Sequence, residues 1–87
     1  MTPLNRAAID KIVARMEDSP ANIDFKDLMK VCEFHFGPAR RSGTSHSVFA
    51  TPWSGDPRVN IQNDHGKAKP YQVRQVLKAL ARLEQEL

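Results

Sequence analysis

The residues equipped to do chemistry in this chain are three histidines and a set of cations gathered in its second half. His46 follows Arg40-Arg41-Ser42-Gly43-Thr44-Ser45, so its imidazole stands among small hydroxyl residues and beside two guanidinium groups. Imidazole is the side chain whose ordinary pKa lets it both take and give a proton near neutral pH. Beside cations it suits cleavage of an RNA phosphodiester. The base removes the proton of a ribose 2′-OH, the freed oxygen attacks the adjacent phosphorus, and the cations stabilise the extra negative charge. That reaction needs no metal. A single histidine beside a turn is more often a surface residue than a catalyst, so its spacing alone does not assign the role.

His65 lies in Asn63-Asp64-His65-Gly66-Lys67-Ala68-Lys69-Pro70, where Lys67 and Lys69, with Arg74 just beyond, gather at the start of a predicted helix. Backbone N–H groups and the helix dipole favour anions there, so these three cations are expected to contact phosphate. His65 is expected to act as a further phosphate contact or as an acid. The plainer reading is a solvated loop, against which stands the scarcity of acids near these cations. His35 falls at the end of the second predicted helix, where a cation near the last carbonyls is mildly stabilising, and it reads as structural. Cys32 sits on an apolar helix face and reads as packing. No glycine-rich nucleotide loop, paired-cysteine metal motif or serine-centred nucleophile elbow occurs, so neither a metal nor another cofactor is expected.

Helices must frame these residues on both sides. The first is expected over residues 3–16, with Thr2 as N-cap, Pro3 at its first position, and Leu4, Ala8, Ile9, Ile12, Val13 and Met16 as its apolar set. Residues 17–20 end it, and a polar connection runs to Ile23. The second helix starts at Asp24, with Asp27 completing a weak capping box, and Gly37-Pro38 stops it. The pattern then becomes extended. Residues 39–42 form a basic edge strand bent back by Gly43, residues 45–51 a central strand, and residues 52–57 a turn. Residues 58–63 alternate so that Val59 and Ile61 point inward while Arg58, Asn60 and Gln62 point outward. Pro70 opens a last helix with the stripe Tyr71, Val73, Val76, Leu77, Leu80, Leu83 and Leu87.

The order α-α-β-β-β-α predicts an α+β fold, a small three-stranded antiparallel sheet with helices on one face and the other face open. Alternation along the central strand sets a condition, because His46 shares a face with Val48 and Ser47 shares one with Phe49. For His46 to meet RNA, Phe49 must point inward and Val48 outward.

A chain of 87 residues fills one hydrophobic core, which makes residues 1–87 a single domain. Its 40% hydrophobic and 26% charged residues are those of a globular chain and exclude the disordered class. One cysteine fits a reducing compartment. Arg6, Asp10, Lys11 and Arg15 interrupt any signal-peptide core, and no segment is apolar enough to span a bilayer, so the cytoplasm is the expected location and no membrane partner is expected. Residues 1–36 hold five Lys or Arg against six Asp or Glu, whereas residues 37–78 hold seven against two. A basic half of this kind fits nucleic acid, or an ordinary solvated face.

Ser45-His46-Ser47-Val48-Phe49 resembles the Ser-His-x-(Ile/Val)-Phe motif of HicA-type toxins, and a basic, glycine-containing segment precedes it as in that family. Residues 59–65 resemble the family's third strand and the histidine after it. Residues 67–80 resemble its closing helix, with a lysine-rich entry and a Val/Leu stripe. The resemblance covers roughly residues 24–83, so residues 1–23 form an N-terminal helix and connection ahead of a core at 24–87. It implies a fold like the double-stranded-RNA-binding domain and an mRNA endoribonuclease, the toxin of a type II toxin–antitoxin pair. It also implies His46 as the catalytic residue and neutralisation by a HicB-type antitoxin. On this reading Arg40, Arg41, Lys67, Lys69, Arg74 and His65 contact the RNA.

Two other readings use the same surface. A non-catalytic RNA-binding module would keep its RNA affinity after His46→Ala and have no activity to lose. A protein-interaction domain with a basic face for an acidic partner would show no RNA affinity alone. Trp53, in the predicted turn, is expected to fold back on the edge of the core rather than stack on a base.

Overall fold

Asn5 sets the start of the first helix. Its side chain accepts the N–H of Ala8 at 2.9 Å, satisfying one of the donors that a helix start leaves over, and α1 (Arg6–Asp18) follows. The expected helix start at Thr2-Pro3 is corrected, since the extended backbone of Asn5 (φ −121°, ψ 155°) admits the helix only after it; Thr2 and Pro3 themselves lie outside the described residues. Those are residues 5–42, 46–53 and 58–86 of a computed structural model, with the backbone alone at 41, 42 and 86. Ile9, Ile12 and Met16 form the buried stripe of α1, while Ala8, predicted to join it, is exposed. Ser19 closes the helix, and the expected connection contains one 3-10 turn at Pro20–Asn22.

The second helix, α2 (Phe25–Phe36), buries Leu28, Val31 and Cys32 and ends at Gly37, whose φ of 84° is the left-handed backbone that glycine adopts at little cost. Burial pushes the Cys32 thiol up to about 12, so it stays protonated and serves as packing. The expected capping box does not form. Asp24 stands at the N-cap position without a side-chain cap bond and instead accepts Lys67 Nζ at 2.8 Å, while Asp27 accepts Arg15 Nη2 at 2.8 Å and ties α2 to α1. Each carboxylate has found a full positive charge, a stronger partner than a neutral amide. His35 is structural, but not as the expected cation: burial, reinforced by the charge of Arg6, holds its pKa below the usual histidine value and favours the neutral ring.

Three antiparallel strands form the predicted sheet: β1 (Arg41–Ser42), β2 (His46–Ala50) and β3 (Arg58–Asp64). The expected bend at Gly43 and most of the turn at 52–57 lie outside the described residues. A short fourth strand, β4 (Lys67–Ala68), extends the sheet beyond β3, where a loop was expected. The reason is local. His65 and Gly66 have φ of 54° and 87°, the paired positive angles of a two-residue type I′ hairpin, whose twist matches that of the flanking strands. Histidine tolerates that region better than most side chains. On its outer side β4 meets the chain entering α2, with Ala68 N donating to Ile23 O at 2.9 Å and Phe25 N to Gly66 O at 3.0 Å.

The last helix, α3 (Pro70–Glu86), turns the expected stripe of Val73, Val76, Leu77, Leu80 and Leu83 to the core and departs from it at Tyr71. Gln72, Val73 and Val76 are buried, and Tyr71, predicted to face the core, is 54% exposed. Leu87 lies outside the described residues. Helices α2 and α3 cover one face of the sheet, and α1 packs on both. This is the α+β order α-α-β-β-β-α with helices on one side, and among the described residues no helix is long and apolar enough to cross a membrane.

Phe49→Ala should remove about 3–5 kcal/mol, a large share of what a domain of this size possesses, read as a fall in the urea midpoint at unchanged slope. His35 predicts the acid response. With its folded pKa depressed, the unfolded chain binds the extra proton, so stability is full above the ordinary histidine pKa and falls as pH drops below it. Melting temperatures measured between pH 7.5 and 5 should show this loss, and His35→Gln should reduce it.

Candidate nucleic-acid interface

Burial alternates along β2 as the condition on His46 requires. Ser47 is 4% exposed and Phe49 fully buried, whereas His46 is exposed and Val48 and Ala50 are half-buried. The inward pair contacts the helix layer, so His46 opens onto the opposite face, which no described helix covers. Its neighbour across the ladder is Gln62, and the same register sets Val48 against Asn60 and Ala50 against Arg58. The uncovered face therefore presents a histidine, an arginine and two carboxamides around two small apolar side chains. Imidazole, guanidinium and amide groups together can exchange a proton, bind phosphate and pair with base or ribose edges.

The end of the sheet that carries His46 is tied to α3. Gln62 N donates to Gln72 Oε1 at 2.7 Å, so the buried amide of α3 receives a strand N–H beyond the end of the short β4. Sequence reasoning missed Gln72. Its signal was present: it lies four residues before Val76 and next to Val73, on the face that is buried. This bond brings the start of α3, with Lys69 and Arg74, to the same end of the sheet as His46.

The expected cations separate on inspection. Arg40 is exposed, and its N–H donates to Val48 O at 2.7 Å, which draws the chain entering β1 alongside β2. Arg41 stands opposite Val48 in the ladder. Lys69 is half-buried and Arg74 exposed at the start of α3. Lys67 turns away to Asp24, whose carboxyl it holds below the usual range. Its charge is therefore partly answered, and the anion-attracting field at this end rests more on Lys69 and Arg74. The helix start itself offers fewer donors than expected: Pro70 has no N–H, and Gln72 N donates to Lys69 O at 2.9 Å. His65 projects from the hairpin tip with its side chain 99% exposed and Nδ1 3.1 Å from Asp64 Oδ1. It is three residues beyond Gln62, roughly 10 Å along the strand from His46, which suits a phosphate contact better than a shared proton transfer.

Among the described residues no group of three or more His, Cys, Asp or Glu side chains converges to hold a metal ion. No protein family, curated protein or solved structure matches this chain.

Gln72→Leu should leave the Gln62 N–H without its acceptor and cost about 1–3 kcal/mol. The local signature is hydrogen exchange, in which the Gln62 amide should lose protection relative to its neighbours in β3. Unchanged protection at Gln62 would show that the bond contributes nothing.

Proposed function

We propose that this chain is the toxin of a type II toxin–antitoxin pair of the HicA kind, a metal-independent endoribonuclease that cuts mRNA in the cytoplasm and is neutralised by a HicB-type antitoxin. The observation that carries the reading is the burial parity of β2, with Phe49 and Ser47 inward and His46 exposed on the uncovered face. Had the register slipped by one residue, the imidazole would sit in the core. The basic second half and the sequence motif around His46 add to it.

In this mechanism His46 removes the proton of the 2′-OH. The 2′-oxygen bonds to phosphorus, the bond from phosphorus to the 5′-oxygen breaks, and the leaving oxygen is protonated from water. The products are a 2′,3′-cyclic phosphate and a free 5′-OH. Arg40, Arg41, Lys69 and Arg74 hold flanking phosphates, with Lys67 and His65 at the hairpin. The antitoxin would cover this same face, since blocking the cations and His46 together stops both binding and chemistry.

The test is induced expression of the wild type and of His46→Ala in a host without the antitoxin, following growth and mRNA integrity together. The wild type should arrest growth and fragment mRNA. The variant, expressed to the same level as checked by immunoblot, should do neither. Cleavage by purified protein should persist in a chelator and fall at least about 10²-fold in the variant. Equal behaviour of the two proteins would remove His46 from the chemistry and leave a binding module.

A further inference from the structure

The end of the sheet remote from His46 carries a second basic feature. Trp53, just beyond β2, lies under the guanidinium of Arg82, which stands 4.4 Å from the ring centroid. The Trp53 indole N–H is buried, with no hydrogen-bond partner among the described residues. Beside them runs a groove of about 590 Å³ whose lining includes Thr51, Arg58, Gln75, Lys78 and Arg82, and none of its described lining residues is acidic. Three cations thus face one concavity.

The groove is continuous with the interface already described. Arg58 both lines it and lies on the uncovered face of β3, four residues or about 13 Å along the strand from Gln62, the partner of His46. On α3, Arg74, Lys78 and Arg82 recur at every fourth position, a row about 12 Å long. That row starts near Gln72, which is bonded to Gln62, and ends at Trp53. Two independent elements therefore measure the same span between the two ends of the sheet.

We propose that this groove is a second phosphate site for a single RNA strand whose reactive segment lies at His46. The proposal rests on the RNA-cleavage reading for its ligand but not for its chemistry. Stacking on Trp53 fixes the Arg82 guanidinium in advance, so little rotamer freedom is lost when it grips phosphate. Lys78 adds a point charge, and Gln75 and Thr51 offer neutral partners for ribose hydroxyls. A strand rising about 3.4 Å per stacked nucleotide covers the distance from His46 in about four steps.

Trp53 is the only tryptophan of the chain, so its emission reports on this groove alone. The experiment titrates a uridine octanucleotide into the full-length His46→Ala protein, which leaves the strand uncut, following Trp53 emission and the anisotropy of labelled RNA in parallel. Emission should change saturably with the anisotropy. Lys78→Gln, an exposed change on α3, should weaken binding about 3–10-fold and lower the salt slope by about 1, with circular dichroism unchanged. RNA binding with constant emission and no effect of Lys78→Gln would overturn the groove while leaving the cleavage reading standing. A shift of emission by polyglutamate but not by RNA would overturn it in favour of an acidic protein partner. RNA binding in the groove by a wild-type chain that cuts no mRNA would uphold the site and overturn the nuclease.

Discussion

A strand on a one-sided core can bury only one of its two faces, and in β2 Phe49 decides which. It is the largest of the fully buried side chains, and no neighbouring position on the strand offers comparable apolar area. Once it points at the helix layer, where β2 meets α2, the twofold period of the strand forces Ser47 inward with it and His46, Val48 and Ala50 outward. The register with β3 obeys the same rule from the other side, since Val59 and Ile61 are buried and leave Asn60 and Arg58 on the uncovered face. A single packing choice thus assembles a polar surface whose members are separated in sequence by the whole of the turn between the strands.

What holds that surface at its His46 end is polar rather than apolar. The β3–β4 hairpin places Lys67 within 2.8 Å of Asp24, and Gln72 accepts from Gln62, so α2, α3 and the sheet are joined at one corner by two side-chain contacts. The two differ in kind. The ion pair is exposed and screened by salt, and because Lys67 lowers the Asp24 pKa, its contribution is present above the ordinary carboxyl pKa and lost as pH falls through the lowered one. The amide bond is part-buried, where an orphaned strand N–H costs more than a surface charge gains.

The parts of this arrangement that follow from period and punctuation were legible in the sequence. The three helices, the alternation of β3, the end of α2 at Gly37 and the outward aim of His46 each depend on local spacing. The parts that depend on distant partners were not. Asp24 and Asp27 have the spacing of a capping box but are drawn off by Lys67 and Arg15, which the local sequence does not reveal. His65-Gly66 lacks the usual Asn-Gly or Asp-Gly signature, so the hairpin read as a loop. Tyr71 has the spacing of the apolar stripe, yet the amide of Gln72 takes the buried position, where it accepts the Gln62 N–H. Trp53 folds back as expected, yet onto Arg82 of α3 rather than into the set of fully buried side chains.

The uneven charge of the chain acquires a meaning from these placements. In the first 36 residues acids and bases nearly cancel, and one described ion pair, Arg15–Asp27, joins α1 to α2. In the second half few acids are available, and among the described pairs Lys67 is answered only by reaching back to Asp24. Arg74, Lys78 and Arg82 follow one another along α3, while Arg58 stands at the far end of β3. Arg82 is held by its stacking on Trp53, while Arg74 and Lys78 are exposed on the same helix. Clustered charges of one sign raise the local concentration of an oppositely charged chain and orient it before contact. A polyanion drawn to this row would meet the Trp53 groove at its end, and Arg58, which lines that groove, carries the positive field round to the face of the sheet that holds His46.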